Sequence, residues 1–146
     1  MQVYLDMCSI QRPLDTKSQV RVAVEAEAVL GILDLIEVGL VQLVASDALF
    51  FEAERNPQPV RRRYTLDVLA KAKVFVRTDA AVEKRARSLL AEGIKPLDAL
   101  HLASAEAAKA DFMCTCDDRF LKRAKALRPD VTKAVSPLEL IMEIGS

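Results

Sequence analysis

The chain has 146 residues, 51% apolar and 29% charged, with 21 basic and 21 acidic side chains and a formal net charge of zero. That length fits one domain, residues 1–146, with a full hydrophobic core, and the composition excludes a disordered chain. Charge balance excludes a broad polyanion-binding face but leaves room for a local basic patch.

The opening MQVYLDMCSI lacks a basic leader and carries Asp6 early, so it is not read as a signal peptide. No apolar run reaches the ~18 residues of a bilayer span. The expected compartment is the cytoplasm. The cysteines Cys8, Cys114 and Cys116 are an odd set, and cytosolic conditions argue against structural disulfides.

QVYLD (2–6) reads as a buried strand ending at an aspartate. Residues 18–39 carry apolar positions at helical spacing and stop at Gly39. LVQLVAS (40–46) is a second strand, and Ser46 and Asp47 open a short helix that Pro57 and Pro59 bound. A helix over 60–72 leads to a third strand, KVFVR (73–77). Helices follow over 78–93, closed by Gly93, and over 95–110, with Pro96 in the first turn where it is tolerated. DFMCTC (111–116) is the fourth strand and 117–127 the helix after it; a weak fifth strand (133–136) precedes a last helix (136–145). Short apolar strands alternating with helices predict a three-layer α/β/α fold on a central parallel sheet of four to five strands.

In such sheets ligands bind beyond the carboxyl ends of the strands. Asp6 ends the first strand, Glu52 lies in the helix after the second, Asp98 sits in the first turn of PLDALHLASA, and Asp117 and Asp118 follow the fourth. Asp98 is the most telling, because an unpaired carboxylate on an apolar helix is costly unless it protonates or meets a cation. Hard oxygen ligands in a group of three or four suit Mg²⁺ or Mn²⁺, which activate water and offset charge on an attacked phosphodiester. Each acid alone could be a helix cap; four at one sheet edge are harder to explain that way.

The residues resemble the PIN domain nucleases and, within them, the VapC-type toxins of toxin–antitoxin pairs. VYLDMCSI is similar to the first family motif, SDALFFEAE to the second, PLDALHLASAE to the third and most specific, and TCDDRF to the fourth. The resemblance implies a PIN-like fold and a Mg²⁺- or Mn²⁺-dependent endoribonuclease. It assigns catalysis and metal binding to Asp6, Glu52, Asp98 and Asp117, with Thr115 beside the site and Asp118 as an auxiliary acid. It also implies an RNA substrate, a homodimer and a small antitoxin partner. Met7 and Cys8 depart from the first motif, where Thr or Ser and then Asn or Ser are common; Ser9 is the nearest hydroxyl, one residue out of register.

Other residues have plainer explanations. Cys114 and Cys116 share a strand face, yet only Cys8 and His101 could complete a soft-metal set, so buried, inert thiols are the better reading. His101 is read as a packing residue. The clusters RRR (61–63) and RFLKRAK (119–125) are solvated helix faces or phosphate contacts, with Arg119 and Arg12 the best candidates for RNA. Two alternatives stay open: a catalytically inactive PIN-like RNA- or protein-binding module, and a phosphohydrolase of another doubly wound family. No glycine cluster forms a phosphate loop.

Overall fold

The computed structural model describes residues 1–145. The last position of the expected 1–146 domain therefore lies outside the described residues. The strands are β1 (Gln2–Leu5), β2 (Gln42–Ser46), β3 (Val74–Val76), β4 (Phe112–Cys114) and β5 (Lys133–Val135). The helices are α1 (Met7–Gln11), α2 (Val20–Glu37), α3 (Asp47–Glu54), α4 (Pro59–Leu69), α5 (Ala80–Ala91), α6 (Pro96–Ala107), α7 (Asp118–Ala126) and α8 (Pro137–Ile144).

All strand pairs are parallel, in the order β3-β2-β1-β4-β5. β1 is central because both its faces are covered: Val3, Tyr4 and Leu5 have no exposed surface. The same holds for Leu43 and Val44 of β2 and Met113 and Cys114 of β4, which is why these strands read as unbroken apolar runs. Helices flank the sheet, with α2 packed on α8, α5 on α6 and α3 on α4. From β1 the chain builds outward to β2 and β3, then crosses back to place β4 and β5 on the other side. The reversal falls between β1 and β4, and the region beyond their carboxyl ends is the usual ligand position in open α/β sheets.

The expected elements are present, with ends trimmed by up to three residues at caps and turns and α4 starting one residue earlier than expected. The fourth strand, expected over 111–116, stops at Cys114 because Thr115 and Cys116 lead into the cap of α7. The sequence reading assigns no element between Asp6 and Ser18. There the structure places α1 and a 3-10 turn, Arg12–Leu14, both too short to show a helical period. No described helix is long and apolar enough to cross a membrane.

Candidate active site

Asp6 leaves β1 and caps α1. Its Oδ1 accepts the backbone N–H of Ser9 (3.0 Å) and the thiol of Cys8 (3.1 Å). Asp6 is 3% exposed, and burial raises its carboxyl above the usual range, opposed by Thr115 and His101 among others. The departures in the first motif acquire a meaning here. Cys8, not Ser9, supplies the side-chain donor, and the Cys116 thiol pushes the Cys8 thiol upward. Ser9 is fully buried and turns its hydroxyl to the Cys114 carbonyl, 3.1 Å away.

Asp117 occupies the matching position after β4. Its Oδ1 accepts the Phe120 N–H (2.9 Å) and caps α7, while its own N–H donates to the buried Thr115 hydroxyl (3.0 Å). Thr115 is therefore a brace for the β4–α7 turn and also borders Asp6.

Glu52 is delivered by α3, whose N-cap Ser46 ends β2. Its Oε1 meets His101 Nε2 at 2.5 Å; His101 Nδ1 meets the Tyr4 hydroxyl at 2.6 Å; that hydroxyl lies 2.6 Å from Ser46 Oγ. Ser46 Oγ also accepts the Leu49 N–H. One assignment satisfies every atom: Ser46 donates to Tyr4, Tyr4 to Nδ1, and the Nε2–H of His101 to Glu52. Sequence reasoning missed Tyr4 and Ser46, since a Tyr in an apolar strand and a Ser at a cap look ordinary until α6 lays His101 across them. His101 is 1% exposed and joins α6 to Glu52 through that bond.

Asp98 is half-buried in the first turn of α6, with its carboxyl raised to about 6. Burial is the main cause; the charges of Asp6, Asp117 and Glu52 also raise it, against a lowering by His101. All three partner acids are thus electrostatic neighbours of Asp98, although they come from three other elements. Their donor chemistry suits a hard divalent cation: carboxylate oxygens whose mutual repulsion a cation would offset, with the hydrogen bonds of Glu52 and Asp117 using one oxygen of each. Among the described residues, no three His, Cys, Asp or Glu side chains are already drawn together closely enough to hold an ion.

The auxiliary candidates stand differently. Asp118 forms a two-pronged pair with Arg21 of α2 (both contacts 2.6 Å), which lowers its carboxyl. Arg12 is tied to Asp15 (3.0 Å) and to the buried Glu25 (2.9 Å). Arg61 binds Asp15 and the Leu14 carbonyl, Arg62 the Asn56 carbonyl, and Arg63 Asp67, so the RRR cluster is engaged with the protein. Arg119 is exposed and shares a pocket with Asp98 and Asp117. Cys114 and Cys116 are 0% and 6% exposed.

The PIN domain family model matches residues 10–126. Two solved structures share the fold. FitAcB from Neisseria gonorrhoeae aligns with a TM-score of 0.56 at 16% identity, covering 93% of this chain and 98% of that one. VapBC2 from Rickettsia felis, solved bound to a DNA fragment from its promoter, aligns with a TM-score of 0.60 at 14% identity over the same shares. No curated protein matches the chain.

Proposed function

The chain belongs to the PIN domain family, and on that premise we propose that it is a Mg²⁺- or Mn²⁺-dependent endoribonuclease, the toxin of a type II toxin–antitoxin pair. One observation supports the reading: Asp98, raised mainly by burial, is raised further by the charges of Asp6, Asp117 and Glu52, so these acids from separate elements act on one another. Asp6, Glu52, Asp98 and Asp117 would hold the ion, which when bound supplies an activated water and offsets charge on the attacked phosphate.

The chain's own side chains set the geometry. The cap bonds of Asp6 and Asp117 fix two carboxylates to the starts of α1 and α7, on either side of the reversal in strand order. The Ser46–Tyr4–His101 chain holds Glu52 by one oxygen. Arg119, beside Asp98 and Asp117, would meet the RNA backbone, whereas Arg12 serves Glu25 and Asp15. The resemblance to VapC-type toxins supports a small antitoxin partner and a homodimer.

A second reading, a PIN-like binding module without catalysis, has one observation in its favour: no ion-holding group is already gathered among the described residues. Titration of Mn²⁺ into wild type and Asp98→Asn, followed by calorimetry, separates the two. The nuclease reading expects a saturable site that the variant loses. A wild type with no saturable site would leave only the module.

A further inference from the structure

Several arginines are spent on the fold. Arg12 pairs with Asp15 and Glu25, Arg21 with Glu25 and Asp118, Arg61 with Asp15, Arg63 with Asp67, and Arg85 with Glu106. Lys95, Arg119 and Arg123 are not. Among the described residues no acid pairs with any of the three, yet all three line one pocket with Asp98 and Asp117. Lys95 is the N-cap residue of α6, whose first turn carries Asp98. Arg119 and Arg123 stand four residues apart on α7, the helix that Asp117 caps, so they share a helix face. The cations and the acids are therefore placed by the same two helices.

Arg123 has a prepared seat. Its guanidinium lies against Gly93, where a Cβ would fall 2.4 Å from Nη1 and 3.3 Å from Cζ. Gly93 also has φ +87°, the left-handed conformation that follows the end of α5. The backbone conformation calls for glycine, and the flexible end of the Arg123 side chain rests against it. The end of a helix presents carbonyl oxygens with partial negative charge. Such a seat attracts a guanidinium without neutralising it, and its full charge stays available to an anion.

We infer that Lys95, Arg119 and Arg123 form a subsite for an RNA backbone phosphate flanking Asp98 and Asp117, with the Arg123 guanidinium lying against Gly93. The inference rests on the nuclease reading and assigns it a strand path across the α6–α7 side. Acids alone repel a polyanion, and cations beside them let one phosphate of the strand bind while its neighbour approaches the carboxylates. The guanidinium fork matches two phosphate oxygens at once. Phe120, the aromatic residue in the pocket wall, is 3% exposed and offers no stacking face, so the subsite reads phosphate and not base.

The test is fluorescence anisotropy of two labelled single-stranded RNAs of unlike sequence, bound in EDTA across a salt series, with thermal unfolding to confirm that each variant is folded. Arg123→Ala should weaken both RNAs about tenfold and flatten the salt dependence by about 0.7 in slope. Arg123→Lys should recover part of the loss. Lys122→Ala, on the same helix outside the pocket, should leave affinity and slope unchanged. Unchanged affinity and slope in Arg123→Ala, or a wild type that binds neither RNA, would overturn the subsite. The nuclease reading is scored separately by cleavage of the same RNAs in Mn²⁺. A cleaving protein indifferent to Arg123→Ala loses the subsite alone. A protein that never cleaves but loses RNA binding in Arg123→Ala loses the nuclease alone.

Discussion

Asp98 sits where its ionised form is unwelcome. With the folded carboxyl at about 6 and the unfolded one near 4, the stability it contributes is complete below about pH 4 and is lost as pH rises through about 6. Asp98→Asn keeps the shape and cannot ionise. In EDTA at neutral pH it should be more stable than wild type by about 1 kcal/mol, a figure reduced for partial exposure. Urea unfolding at neutral pH and near pH 4 checks this: the gap should close in acid, and a gap that widened there would refute the account. The four acids were readable as candidates because strand ends or motif spacing mark them in the sequence, and the structure makes Asp6, Asp117 and Glu52 electrostatic neighbours of Asp98. The roles of Cys8, Ser9, Tyr4 and Ser46 were not, because they depend on which atoms meet across elements up to 97 or 107 residues apart.

At the scale of elements, β1 and β4 each lead to an acid at a helix start, and both acids do double duty. Asp117 caps α7 through Oδ1 and faces the crevice with the rest of its carboxylate. Asparagine caps as well as aspartate, whereas alanine does not, at a typical loss of ~1 kcal/mol. Asp117→Asn should therefore unfold near wild type while losing Mn²⁺ binding, and Asp117→Ala should lose both; chemical denaturation alongside Mn²⁺ titration reads the difference. Equal stability of the two variants would mean that the cap bond contributes nothing. Long amphipathic helices and apolar strands were readable from period and punctuation, as with α2 and Gly39 after it. α1 was not. Five residues leave no period, and its signals are an aspartate that reads equally well as a catalytic acid and a proline in the turn that follows.

The whole molecule supplies what no element has. Strand order β3-β2-β1-β4-β5 puts Asp6 and Asp117 on either side of the reversal, and α3 and α6 then bring Glu52 and Asp98 over the same end. The sequence pattern predicted parallel strands and acids at one edge, but not that β1 is central, since four fully apolar strands fit several orders. Nor could it sort the basic residues. Arg12 and Arg61 are bound to Asp15, while Arg123 rests on Gly93, and both outcomes follow from packing between helices. The central claim is that this convergence makes one metal-dependent cleavage site. It is tested most directly by incubating purified wild type and Asp98→Asn with single-stranded and structured RNAs in Mg²⁺, Mn²⁺ or EDTA. The account predicts cleavage by wild type with either metal, none in EDTA and none by the variant. Cleavage that persists in EDTA, or in Asp98→Asn with metal, would contradict it.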